Sequence, residues 1–471
     1  MADLLTRLET LARPIRVGIV GAGHTGKALL HQCNITPGIE CVAIADIVVE
    51  KATNACMDLD CKHQVAGDLG EMHDAIRCGA VAVCEDGELV AQCESVDVLI
   101  ESSSAVAGGG HYAAVALGNG IHVVMMNAEA DLIFGPHLMR LAEKNGVVYS
   151  TCDGDQPGVI VRLAREVTLW GFDVVMAGNI KGFLDRYVNP TSIIPEADKR
   201  FLDYKMCTAY TDGTKLCVEM ALVANALDME TDVPGMHGPR TQSIVETLDV
   251  FDFDRLYARD RAVVDYVLGS QPYGGVFVVA RCDHPFQQKM MNYFPSQQGD
   301  GPFYVFNRPY HLCHVEAMQC VAEAFLDHET LLQPTYGFRT NVYAYAKRDL
   351  RKGERLDGIG GYTNYGLIEN CPANQGLPIC LADDVVLKRD VAKDEKMFME
   401  DVVYDANRVD YRLYALAVAE SDICSATTAA AGTPIRIETV PQPTSSPRRR
   451  ERQPGRADGQ DAPLQTPSSK G

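Results

Sequence analysis

The residues best suited to chemistry lie near the start of the chain. Gly21-Ala-Gly-His-Thr-Gly26 places three glycines at the spacing of a phosphate-cradling turn, and Asp46 follows 20 residues after the last of them. The context makes this spacing specific. A short β-branched run, 15–20, leads directly into the turn, and helical spacing begins at Lys27. Gly21 permits the tight turn, Gly23 lets the backbone approach a pyrophosphate, and Gly26 lets the helix pack on the strand. With His24 and Thr25, these residues present free N–H groups and a partial positive charge to phosphate oxygens. Asp46, at the end of the second strand, is placed to accept hydrogen bonds from the adenosine ribose. A carboxylate there repels a 2′-phosphate, so NAD is expected, with NADP as the alternative.

Other polar residues follow other strands. Glu101-Ser-Ser-Ser104 comes after an apolar run at 96–100. Ser102 and Ser103 read equally as nicotinamide-side contacts or as an ordinary polar turn. Asn127-Ala-Glu129 follows the run 121–126, and Asn127 and Glu129 are assigned to the cofactor side, because ligands of such sheets sit beyond the strands' carboxyl ends. Hydride chemistry also needs a proton donor or acceptor at the reacting oxygen. Lys181, in Ala177-Gly-Asn-Ile-Lys-Gly182, is the candidate, flanked by glycines; the alternative is a solvated loop lysine. Asp153 and Asp155 could orient it, contact substrate hydroxyls, hold a divalent metal or simply close a turn. With no third ligand evident, a metal is not favoured and none is assigned. Asn179, Arg186, Lys199, His237 and Arg240 are candidates for substrate contact. His311, Cys313 and His314 have metal-like spacing but nothing in sequence completes the set, and they are read as structural.

These residues need a scaffold. Buried strands at 15–20, 39–45, 96–100 and 121–126 alternate with helical stretches, which implies right-handed βαβ units and a parallel sheet. The expected architecture is α/β. A Rossmann-type doubly wound parallel sheet at 1–150 carries the dinucleotide. An α+β substrate or dimerisation domain spans 151–333, with helices at 159–169 and 214–226 and strands at 172–177, 275–280 and 303–306. A small β-rich module follows at 334–420, closed by a helix at 411–420. From 421 to 471 the composition falls to Ala, Thr, Pro, Ser, Arg and Gln, which predicts disorder.

Composition excludes several classes. A net charge of −20 argues against a nucleic-acid body, and the basic cluster Arg448–Arg450 lies in the polar tail. No apolar run approaches the ~18–20 residues of a membrane helix. The first residues carry Asp3 and Glu9 among leucines, unlike an export signal. The 16 cysteines are scattered and read as reduced, cytoplasmic thiols. A small-molecule substrate is expected, with no nucleic-acid or membrane partner and a homo-oligomeric state.

Longer motifs add a resemblance. Val124-Met-Met-Asn-Ala-Glu-Ala-Asp131, Gly154-Asp-Gln-Pro157, Gly235-Met-His-Gly-Pro-Arg240, Gly275-Val-Phe-Val-Val-Ala280 with Asp283-His-Pro285, and Arg308-Pro-Tyr-His311 resemble homoserine-dehydrogenase-like oxidoreductases with a C-terminal SAF domain. They are also similar to type II 1-deoxy-D-xylulose 5-phosphate reductoisomerase-like proteins. The segments 347–354 and 377–390 resemble SAF β-clip modules, although Ala392-Lys-Asp-Glu395 lacks the usual glycine. Homoserine dehydrogenases place a lysine where Asn127 and Ala128 stand, so homoserine is not the expected substrate. The reductoisomerase relatives carry an acid where Gln156 stands. The resemblance implies a biosynthetic NAD(P)-dependent oxidoreductase acting on a small polar carbonyl or hydroxyl metabolite, of the sugar phosphate or hydroxy acid class. A reductoisomerase and a non-catalytic NAD sensor are the alternatives.

Overall fold

Seven strands build the first sheet of the computed structural model, which describes residues 3–200, 202–293, 298–371 and 375–431. They are β1 (Ile15–Val20), β2 (Ile39–Ala45), β3 (His63–Val65), β4 (Val81–Cys84), β5 (Val98–Glu101), β6 (His122–Met125) and β7 (Tyr149–Thr151). Their order is β3-β4-β2-β1-β5-β6-β7, and every pairing is parallel. Strands buried on both faces read as continuous apolar runs, and Ile15, Val17, Ile19, Val98, Leu99 and Ile100 are all fully buried. The order reverses between β1 and β5, which opens a crevice above their carboxyl ends. This is the Rossmann-like α/β sheet that the alternation predicts. The sequence reading passed over β3, β4 and β7, which are too short to show a period of their own.

The second sheet has five strands, in the order β12-β11-β8-β10-β9. Here β8 is Asp173–Lys181, β9 Glu230–Thr231, β10 Val263–Leu268, β11 Val276–Arg281 and β12 Phe303–Arg308. Strands β8, β9 and β10 run parallel, while β11 is antiparallel to both its neighbours. Lys181 ends β8, paired in register with Leu268. Beyond it, β13 (Thr340–Ala346) pairs with β15 (Asn364–Asn370), and β14 (Arg355–Asp357), β16 (Asp383–Leu387) and β17 (Val402–Val403) form a third small sheet. This is the β-rich stretch expected after Pro334.

The helix Thr214–Leu227 ties these layers together. It packs on β13, β15 and β10, and on the helices Gln156–Leu169 and Ala128–Asn145. Twelve of its 14 residues are buried, Lys215 and Glu219 among them. The closing helix runs Val409–Ala431 and lies along Ala128–Asn145. It therefore continues 11 residues past the expected boundary at 420. The rest of the predicted tail, 432–471, lies outside the described residues. Among the described residues no helix is long and apolar enough to cross a membrane.

A candidate active site where the two large sheets meet

The glycine turn has the properties of a dinucleotide cradle. Gly21 has φ +95°, and a Cβ there would meet the Ser103 backbone at 2.7 Å. A Cβ on Gly26 would collide with the Gly21 carbonyl at 1.8 Å. Gly23 faces open space, with nothing within 4 Å of where its Cβ would be. The helix His24–Ile35 starts at Gly23 without a side-chain cap, so its first N–H groups are left for a ligand. Thr25 is half-buried in its first turn, and His24 is exposed. Asp46 accepts from the Ala22 and Val48 N–H groups, both at 2.9 Å, which fixes its carboxylate beside the turn.

Ser102 holds the turn. Its hydroxyl reaches the carbonyls of Val20 (3.0 Å) and Gly21 (3.1 Å), clamping the turn from below. Ser103 caps locally: its N–H donates to Glu101 Oε1 and its Oγ accepts from Ala105 N–H. Glu101 is fully buried and its Oε2 has no partner. Gly109 makes room for it, since a Cβ there would meet Glu101 Oε2 at 2.7 Å and Asn127 Nδ2 at 2.8 Å. Asn127 caps the helix Ala128–Asn145 through Ala130 N–H and donates to the Ala105 carbonyl.

Burial pushes the Glu101 carboxyl up to about 7, against hydrogen bonds from Ser103 that favour its charged form. Below the ordinary value of 4.5 both folded and unfolded chains hold the proton. Between 4.5 and about 7 only the folded chain holds it, so stability falls as pH rises; above about 7 the penalty is constant. Glu101→Gln is therefore expected to be more stable than the parent by about 3 kcal/mol at pH 8. The difference should shrink toward zero near pH 4.5. Urea midpoints across that range check it, and a pH-independent difference would refute it.

Charged groups converge where the second sheet meets this crevice. Lys181 Nζ donates to Glu219 Oε2 at 3.2 Å. With the Gln156 amide oriented to satisfy its neighbours, its oxygen also accepts from Lys181 Nζ at 3.2 Å and its nitrogen donates to Asp155. Asn179 donates to the same Glu219 oxygen at 3.1 Å. Glu219 Oε1 and Asn179 Oδ1 are buried with no partner. Burial raises the Glu219 carboxyl, opposed by Lys181. One turn earlier Lys215 reaches both oxygens of Glu129, at 3.0 and 3.1 Å. Burial works against the Lys215 charge, but Glu129 and Asp155 outweigh it and raise its pKa. Lys215 is thus held as an ammonium.

Several sequence expectations are redistributed. Glu129, assigned to the cofactor side, faces Lys215 and joins the charged cluster. Asp153 is engaged at both oxygens, by Gly154 N–H (2.8 Å) and by Arg162 Nε (2.5 Å), and Arg162 also bridges to Glu323. It anchors the loop, whereas Asp155 joins the cluster. Lys199 is 71% exposed and pairs with Glu196 on its own helix. His237 pairs with Asp232 at 2.8 Å, while its N–H and that of Gly238 donate to buried Asp265. Arg240 is exposed, and its backbone bridges to Leu268, the register partner of Lys181. Arg186 lies over the Tyr365 ring at 5.3 Å. Lys215 and Glu219 were missed in sequence. Their signal was two opposite charges four apart in an otherwise apolar helix, a pattern that places both on one buried face.

Residues 154–317 match the family model described as oxidoreductase DRL, catalytic domain. No curated protein matches the chain. Among solved structures, an NAD binding oxidoreductase from Klebsiella pneumoniae is 17% identical, covering 38% of this chain and 45% of its own, with TM-score 0.28. The chain thus spans less than half the length of that protein. A scyllo-inositol dehydrogenase from Lactobacillus casei, with NAD(H) and scyllo-inositol bound, is 14% identical over 57% of this chain and 74% of its own, TM-score 0.35. A DOX-P reductoisomerase in complex with magnesium is 14% identical over 66% and 78%, TM-score 0.35.

Proposed function

We propose that the chain is an NAD-dependent oxidoreductase that interconverts a carbonyl and a hydroxyl in a small polar metabolite, of the sugar phosphate or hydroxy acid class. The observation that carries this reading is the row of buried polar groups between the glycine turn and Lys181: Glu101 beside Asn127, Glu129 paired with Lys215, and Glu219 paired with Lys181. The match of residues 154–317 to an oxidoreductase catalytic domain supports it.

When bound, nicotinamide supplies or accepts the hydride. The chain's own residues do the rest. The turn at Gly21–Gly26 and the uncapped helix start bind the diphosphate. A cavity beside Asp46, lined by Ile47, Val49, Ala66, Leu89 and Tyr112, suits an adenine ring. Glu85 and Asp86 on its wall, with Asp46, disfavour a 2′-phosphate. In the reducing direction Lys181 gives a proton to the oxygen of the carbonyl, held in place by Glu219 and Gln156. Lys215, kept charged by Glu129, contributes a fixed positive potential to the oxygen as negative charge develops on it. Arg240 and Arg186, around the Lys181 end of the sheet, suit an anionic substrate group. A homo-oligomer in the cytoplasm remains the expected setting.

Calorimetry with NADH and NADPH tests the reading, followed by a metabolite screen on nicotinamide absorbance. The parent should bind NADH more tightly. Asp46→Ser with Ile47→Arg removes the repelling charge and adds a phosphate partner. It should shift the affinity ratio toward NADPH by about tenfold or more, the worth of one charge-assisted contact. No heat from either coenzyme would overturn the proposal, and an unchanged ratio would overturn the role of Asp46.

A further inference from the structure

Gly154, at φ +80°, lets two segments far apart in sequence meet. A Cβ there would strike the carbonyls of Leu312 and Cys313 at 2.7 and 2.9 Å. This approach brings Asp155, at the start of the helix Gln156–Leu169, against His311 and Cys313. Cys313 Sγ lies 3.7 Å from Asp155 Oδ1 and 3.9 Å from His311 Nδ1, and all three donor atoms fall within 4.8 Å of one another. Two donors on a tetrahedral zinc ion, with bonds of about 2.0–2.3 Å, stand roughly 3.6 Å apart. Both separations from Cys313 are therefore already near those that a shared ion would impose.

We propose that Asp155, His311 and Cys313 form a binding site for a divalent transition cation of the zinc class. The donor set selects that class: thiolate and imidazole suit zinc, and magnesium or calcium take oxygen donors instead. Three protein donors leave a fourth position for water or a substrate oxygen. Gln156 links this site to Lys181, since its amide touches both Asp155 and Lys181 Nζ. The ion would polarise the carbonyl oxygen that Lys181 protonates, as a Lewis acid with no change of oxidation state. That catalytic role rests on the oxidoreductase reading; the binding site does not.

The test is metal binding by the full chain after chelation and re-addition of Zn²⁺ alone. Elemental analysis after gel filtration should find about one equivalent in the parent. Cys313→Ser and His311→Asn should each retain less than about a tenth of that. Loading with Co²⁺ should give a sulfur-to-cobalt charge-transfer band that is absent from Cys313→Ser. Circular dichroism establishes that each variant is folded; if one is not, the other decides. Failure of the parent to retain zinc, or equal retention by a folded variant, overturns the site. NADH calorimetry on the same samples separates the two readings. Coenzyme binding without zinc retention refutes the metal alone, and zinc retention without coenzyme binding refutes the oxidoreductase alone.

Discussion

Replacing Lys181 with methionine is expected to lower turnover by about two to four orders of magnitude while leaving NADH affinity within a few-fold. The side chain reaches the reacting region from the last residue of β8, and its ammonium is oriented by Glu219 and Gln156. Methionine keeps the stem and removes the exchangeable proton, so the loss should fall on kcat rather than on KM. Stability should also fall, because Glu219 is buried and loses its cation. Pairing Lys181→Met with Glu219→Gln separates the two effects. The double variant should regain most of the stability and none of the activity. Turnover in the single variant close to that of the parent would remove Lys181 from the chemistry. Recovery of activity in the double variant would make it a structural residue.

How much of this was legible beforehand follows from the physics of each signal. The glycine turn, β1, β2 and Asp46 were legible because local rules govern them: periodicity, turn conformation and a fixed offset to the acid. Lys181 stood out because it follows an apolar run among glycines, although the strand was expected to stop at 177 and runs on to include it. The partners of Lys181 were not, because Glu219 lies 38 residues downstream and meets it only through tertiary packing. Ser102 shows the converse. Its position after a strand left a nicotinamide-side contact and an ordinary polar turn equally open, and a hydroxyl one residue past β5 reaches the Val20 and Gly21 carbonyls. Asp153 and Asp155 are indistinguishable by composition, two residues apart on one turn. The fold parts them, giving Arg162 to Asp153 and the charged cluster to Asp155. His311 and Cys313 had the right spacing for a metal, but their third donor lies more than 150 residues upstream in sequence. The closing helix outran its expected end because Ser-Ala-Thr-Thr-Ala composition reads as weakly helical alone, whereas here it continues a helix begun at Val409.

Breaking the Lys215–Glu129 pair is expected to be the most destabilising single change in the site. Both side chains are about nine-tenths buried, at 9% and 11% exposure, and the ammonium reaches both carboxylate oxygens. Lys215→Met strands the Glu129 carboxylate in the interior, with an expected cost of about 3–5 kcal/mol in urea unfolding. Glu129→Gln alone should cost less, because Asp155 and Glu219 still face the ammonium. Combining the two removes both charges of the pair, so the double variant should recover most of the loss seen in Lys215→Met, with a coupling well above about 1 kcal/mol. Activity discriminates further. If Lys215 serves only to hold the helix Thr214–Leu227 in place, the refolded double variant should turn over normally. If its fixed charge also stabilises the developing oxyanion, the double variant should be stable yet slow by about two orders of magnitude or more. A single-variant cost below about 1 kcal/mol would mean that the pair is solvated in solution, and the assignment of Lys215 as a permanently charged group would fall with it.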